Sequence, residues 1–271
     1  MDCRLILDPP ASGVHNMSVD EALLINAAEH YTATLRFYSW SEPTLSLGYF
    51  QNYAERDAHA PSRECAVVRR QTGGGAILHD QELTYSITLP GAHPLAKQNE
   101  RLYQIVHQVF VEVLAPSSTP TNPTAPLRIH GDGPKLRPSD EPFLCFQRRS
   151  PGDVVFAPDA AEQGDANLSQ MRLLPHTQKV LGSAQRRYRG ALLQHGSLLL
   201  ARSAAAPELP GWSDLADRNV SASTIISAIC SRLAETLQLE LHEAKLPAEL
   251  ESIAHEIANN KYGSAAWTNR R

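Results

Sequence analysis

The chain has 271 residues and a formal net charge of -4, with 25 Lys and Arg against 29 Asp and Glu. Its length allows a substantial core in one large domain or two small ones, and its slight acidity excludes the electrostatic footprint of a nucleic-acid binder. No apolar run approaches the roughly 20 residues of a membrane span and Met1 to Pro10 lacks a signal-peptide pattern, so a cytoplasmic protein without nucleic-acid or membrane partners is expected.

Leu5 to Leu7 reads as a short strand ended by Pro9 and Pro10. Ser18 with Glu21 makes a capping-box pattern, and Ala22, Leu24, Ile25 and Ala28 at helical spacing predict a helix to about His30. Leu35 to Trp40 and Thr44 to Tyr49 read as strands around a Ser-Glu-Pro turn, and Cys65 to Val68 and Leu83 to Leu89 add two more. Leu102, Ile105, Val106, Val109 and Val113 form one face of an amphipathic helix from about Gln98 to Leu114, with a structural role against the sheet.

The density of proline between Ala115 and Pro142 predicts an irregular excursion, with a short strand at Leu127 to His130. A sheet-like pattern resumes at Val154 to Phe156, Gln178 to Ala184 and Ala191 to Leu200. The part after Pro210 reads as helices, with Ile225, Ile226, Ile229, Leu233 and Leu237 on one face and Leu250, Ile253, Ala254 and Ile257 on another. The expected architecture is α/β (α+β), a mixed, largely antiparallel sheet flanked by helices. It forms a single domain over residues 1–271, with the part after about 220 packed onto the rest.

Three stretches carry chemistry. Arg69 and Arg70 precede Gly73, Gly74 and Gly75, and His79 and Asp80 follow; glycines let a backbone approach a ligand while adjacent guanidiniums suit a polar or anionic group. The four cysteines, Cys3, Cys65, Cys145 and Cys230, form no C-x-x-C pair, which points to free thiols in a reducing compartment. Cys145 stands apart from the other three, because Arg148 and Arg149 follow where they could stabilise its thiolate. Lys179 then begins an apolar strand continued by Gly182, Ser183 and Ala184, with His195, Gly196 and Ser197 on the next strand, a set suited to a pocket wall.

The Arg-Arg-x-x-Gly-Gly-Gly-x-x-x-His-Asp stretch at 69 to 80, the Lys-x-x-Gly-Ser-Ala-Gln stretch at 179 to 185 and Gln-His-Gly-Ser at 194 to 197 resemble the lipoate/biotin protein ligase and octanoyltransferase superfamily. Met17 to Leu24 resembles its first helix and Lys261 to Trp267 its closing segment, so the likeness spans nearly the whole chain. Lipoate ligases typically carry an Asn-Asp pair near the position where this chain has Cys145 and Phe146, and that cysteine is similar to the octanoyltransferase branch.

The resemblance implies a biotin/lipoate protein ligase-like catalytic domain that moves an octanoyl group from octanoyl-acyl carrier protein, through a Cys145 thioester, to a lysine of a lipoyl-domain protein. The glycine cleavage H protein and E2 subunits are such acceptors. Cys145 and Lys179 would be catalytic, with Arg70, Gly73, Gly74, Gly75, His79, Gly182, Ser183, Ala184 and His195 binding substrate. Lys179 could lower the thiol pKa, stabilise the oxyanion or, if deprotonated, accept a proton from the incoming amine. No cofactor is implied, and His79, Asp80, Cys145 and His195 lack compact metal-ligand spacing. An ATP-dependent lipoate or octanoate ligase, an amidotransferase between lipoyl domains and a non-catalytic binding module are the alternatives.

Overall fold

The computed structural model describes residues 1–115, 127–131, 141–157, 177–216 and 220–271. Most of the Pro-rich 115 to 142 stretch therefore lies outside the described residues. Eleven strands of the described residues form two sheets. They are β1 (Asp2–Leu7), β2 (Ala33–Tyr38), β3 (Thr44–Leu47), β4 (Ala66–Arg69), β5 (Ile77–His79), β6 (Glu82–Leu89), β7 (Leu127–Ile129), β8 (Val154–Phe156), β9 (Gln178–Tyr188), β10 (Ala191–Leu199) and β11 (Glu240–Glu243). The large sheet runs β11-β1-β2-β6-β10-β9-β8-β7, parallel only among its first three strands, and a small sheet runs β4-β3-β5. The mixed, largely antiparallel sheet is thus as expected.

Six α-helices of the described residues pack around these sheets: α1 (Gly13–His30), α2 (Asn99–Leu114), α3 (Trp212–Ala216), α4 (Ala222–Leu237), α5 (Ala248–Ile257) and α6 (Ala265–Thr268). One face of the large sheet takes α2 and α4, whose Leu102, Val106, Phe110, Ile229 and Leu233 meet Leu35, Phe37, Tyr85 and Ile87 in one core cluster. Each such fully buried apolar side chain contributes about 1.5–3 kcal/mol. The other face takes α1 and α5, through Val19, Leu23, Leu250 and Ala254 against Ile6. Alternation along β10 separates the two, since Leu192 and Leu198 join the first cluster while Ala191 and Leu193 join Leu24 and Ala27 of α1.

Two sequence expectations are corrected. The helix α1 starts at Gly13, capped by Ser12, and Ser18 lies inside it with its hydroxyl donating to the Val14 carbonyl at 2.7 Å. A mid-helix serine can bond back to the preceding turn, so Ser-x-x-Glu imitated a start signal. The segment after Pro210 holds β11 as well as helices, because Glu240 to Glu243 finds a parallel partner in β1, whose sequence lies more than two hundred residues earlier. The glycine loop connects β4 to β5 within the small sheet, and Leu83 to Leu89 falls in β6 of the large one.

Candidate active site

Cys145 opens a 3-10 turn, and its amide donates to the Ala76 carbonyl at 2.7 Å, tying the thiol segment to the end of the glycine loop. Its half-buried sulfur lies 3.7 Å from Lys179 Nζ. Lys179 stands near the start of β9 with only 5% of its surface exposed, and its ammonium donates to Asp153 Oδ2 at 2.9 Å. Burial pulls the Lys179 pKa down, but the Cys145 sulfur and the Asp153 carboxylate outweigh it and raise it above the ordinary lysine value. The residue is therefore a charged ammonium beside a thiol.

This pair lines a cavity of about 300 Å³. Gly73 and Gly74 form one side of it, Gly182, Ser183 and Ala184 another, and His79, His195 and Gly196 the remainder, with Arg70 between. Gly74 has φ of 93°, a left-handed conformation that a side chain would strain. Gly182 leaves room for the cation, since a Cβ there would stand 2.4 Å from Lys179 Cε and 2.6 Å from Nζ.

Arg70 holds the loop. Its guanidinium donates to the carbonyls of Ser46, Gly73 and Gly75 at 2.9, 2.9 and 2.6 Å and to the Ser46 hydroxyl at 3.1 Å. Burial lowers its pKa to about 10. His79 continues the support, with Nε2 2.7 Å from the Ser46 hydroxyl, Nδ1 2.7 Å from Glu82 Oε1, and its ring stacked 3.8 Å from Trp40. Burial lowers the His79 pKa, so the neutral ring donates from Nδ1 to Glu82 and accepts from Ser46. On the far wall, His195 is fixed between Asp20 Oδ2 at 3.1 Å and the Thr72 hydroxyl at 2.8 Å.

Residues 12–206 match the sequence model of the lipoyl protein ligase A/B catalytic domain, more than half of the chain. The chain belongs to that family. Octanoyltransferase LipM of Kyrpidia tusciae is 31% identical over 99% of this chain and 98% of its own length. LipM of Geobacillus kaustophilus is 31% identical over 97% and 95%. Among solved structures, the bi-partite lipoate protein ligase of Thermoplasma acidophilum superposes with a TM-score of 0.68 at 19% identity, covering 99% of this chain and 96% of that one. Lipoate-protein ligase A bound with ATP gives 0.69 at 21%, covering 99% of each. Both structures share the fold.

Most of the expected pocket residues of this family member meet at one cavity, with three departures. Gly75 lies outside the cavity lining; its carbonyl serves Arg70, and a Cβ there would meet the Arg148 guanidinium at 2.9 Å. The Arg69 and Arg70 pair is turned to backbone rather than to an anion, Arg69 donating to the carbonyls of Gly48, Gln51 and Thr268. Arg148 and Arg149 are also engaged away from the thiol, with Pro142 and Glu141 and with the Thr177 carbonyl, and the cation that reaches Cys145 is Lys179. Main-chain carbonyls, which a sequence does not display as charge, absorb most of these guanidinium bonds, and the Glu141 carboxylate takes one.

Several site residues carried no sequence signal of their own. Asp153, in the Pro-Gly-Asp turn, is the ionic partner of Lys179. From α2, Tyr103 donates to Asp153 Oδ1 at 2.9 Å and His107 reaches Ser183 Oγ at 2.6 Å, so that helix braces the site as well as the sheet. Burial lowers the His107 pKa to about 4 and its Nδ1 lies 2.7 Å from the Gly152 carbonyl. A carbonyl only accepts, so Nδ1 carries the proton, Ser183 donates to Nε2, and Tyr85 in turn donates to Ser183 at 2.7 Å. Among the described residues, the three-ligand metal candidate is Asp2, Glu240 and His242, all exposed at the β1 and β11 edge and absent from the cavity lining. No described helix is long and apolar enough to cross a membrane.

Proposed function

We propose that this chain acts in the cytoplasm as a single-domain octanoyltransferase of protein lipoylation, with Cys145 carrying the acyl group between two protein partners. The donor is octanoyl-acyl carrier protein and the acceptor is a lysine of a lipoyl-domain protein, such as a glycine cleavage H protein or an E2 subunit. The observation that carries this reading is the half-buried Cys145 sulfur 3.7 Å from the Lys179 ammonium, at a cavity whose glycine walls admit a narrow acyl chain. Full-length relatives named octanoyltransferase support the same reading.

In the first transfer, the Cys145 thiolate attacks the thioester carbonyl; a new carbon–sulfur bond forms, the donor's bond breaks, and the carrier thiolate leaves and takes a proton. In the second, the acceptor amine attacks, a carbon–nitrogen bond forms, the amine gives up a proton to solvent, and the carbon–sulfur bond breaks so that Cys145 leaves as thiolate. Neither step needs ATP. Lys179, charged between Cys145 and Asp153, stabilises the thiolate and the oxyanion of each tetrahedral intermediate. Its raised pKa makes it an electrostatic partner rather than the base that takes the amine proton. Gly73, Gly74, Gly182 and Ala184 give the chain close backbone contact, while His79, His195 and Arg70 hold those walls in place.

The test is incubation with octanoyl-acyl carrier protein, without ATP or acceptor, followed by intact-mass measurement. An octanoyl adduct that hydroxylamine removes, absent from Cys145→Ala, is expected. No adduct on the native chain, or activity that requires free octanoate and ATP, overturns the reading.

A further inference from the structure

Lys179 has three donors, and the described residues offer its ammonium two partners. The first is sulfur at 3.7 Å, a long contact with a soft acceptor; the second is Asp153 Oδ2 at 2.9 Å. The carboxylate therefore supplies most of what holds a flexible four-carbon stem in one place and keeps a buried amine protonated. Asp153 is itself fixed from two sides. Its Oδ1 accepts from the Tyr103 hydroxyl at 2.9 Å and its Oδ2 from the Ser150 amide at 2.7 Å, while 1% of its side chain is exposed. Its turn is anchored as well, because the Gly152 carbonyl accepts from His107 and the His130 amide donates to the Asp153 carbonyl at 2.7 Å.

We infer that Asp153, locked by Tyr103 of α2 and the Ser150 amide, is a positioning residue that holds the Lys179 ammonium against Cys145 and thereby sets how reactive that sulfur is. The inference rests on the reading of Cys145 as nucleophile. Asp153 touches no reacting atom and acts through Lys179. It also extends the working site beyond the cavity, since neither Asp153 nor Tyr103 lines it. The other titratable groups around the pair are His107 of α2, His130 after β7 and Arg70 across the cavity, and none of them has a hydrogen bond to Lys179. Removal of the carboxylate leaves the buried ammonium, among the described residues, with the sulfur as its remaining hydrogen-bond partner, and the amine then loses its proton and its influence on the thiol.

Alkylation of Cys145 by iodoacetamide, followed by intact mass with Cys145→Ala as the blank for Cys3, Cys65 and Cys230, tests this directly. Asp153→Asn is expected to slow the reaction about tenfold at pH 7, with recovery near pH 9.5. Tyr103→Phe, which keeps the carboxylate and the ring, slows it about threefold at pH 7 with the same recovery. Asp153→Glu restores part of the loss. A native rate at pH 7 in folded Asp153→Asn, or an equal loss at both pH values, overturns the inference. If Asp153→Asn does not fold, Tyr103→Phe decides by the same criteria. Octanoyl-acyl carrier protein is run in parallel: absence of an octanoyl adduct on the native chain refutes the transferase reading alone, because the alkylation profile is read without an acyl donor.

Discussion

Two buried cations face the same cavity and are used in opposite ways. Arg70 spends its terminal nitrogens on three carbonyls and a hydroxyl, so its charge is neutralised by the dipoles of the loop that it shapes. Lys179 sits between a carboxylate and a thiol, so its charge is poised next to a group that can change its own. The planar fork of arginine can satisfy several fixed acceptors at once, whereas the compact ammonium of lysine can be pinned at a point and directed at one atom. Formal charge therefore says little about which cation does chemistry. The partners decide.

The contrast is broken most severely on the Lys179 side. Cys145→Ala is expected to reduce octanoyl transfer at least a thousandfold with folding stability nearly native, and Lys179→Ala at least about a hundredfold with a loss of about 3 kcal/mol because the buried Asp153 carboxylate loses its cation, as read by transfer kinetics and urea titration. Lys179→Arg does not restore the rate, because the larger fork has no space beside Gly182 and no second acceptor set. Arg70→Ala acts through structure instead. It leaves loop carbonyls without their donor and costs about 3 kcal/mol of stability in urea titration, and Arg70→Lys recovers little of it.

A smaller effect separates the two sides by pH. Burial lowers the His107 pKa from the ordinary 6.5 to about 4. As pH falls below 6.5 the unfolded chain takes a proton there and the native chain does not until about 4, so stability is lost on acidification through this window. The contribution is at most about 1.4 kcal/mol per pH unit, or roughly 2 kcal/mol between pH 7 and pH 5. His107→Gln should flatten that part of the urea-derived stability profile. The smallest expected effect is at Gly74→Ala, where φ of 93° and a Cβ 3.2 Å from the Arg70 guanidinium predict a loss of about 1–2 kcal/mol and a weaker hold on the acyl chain.

The fold was legible where local pattern and tertiary demand agree. The apolar face of Leu102, Val106 and Val109 gives α2, observed at Asn99–Leu114, and the alternating segments give β6, β9 and β10. It was illegible where a partner from far along the chain was required. The strand β11 exists because β1 offers it an edge, and β5 because β3 does. The closing segment shows the same principle in the site's support: Lys261 and Tyr262 reach Glu21 of α1, at 2.7 and 2.6 Å, and Trp267 donates to the Arg69 carbonyl at 2.8 Å.

The sequence alone determined the residue types that the site draws on: a loop of three glycines, an isolated cysteine, a lysine ahead of Gly-Ser-Ala and a histidine on the return strand. It also determined their family, through the order of those motifs along the chain. Tertiary structure decided the partners. It gave Lys179 a carboxylate and a thiol, took Arg70 into the backbone of its own loop, turned Gly75 away from the cavity, and brought Tyr103 and His107 of α2 onto Asp153 and Ser183 behind the pocket wall. The physical reason is that hydrogen bonds and ion pairs act over about 3 Å in space, while side chains that meet at that distance here are separated by tens of residues in sequence.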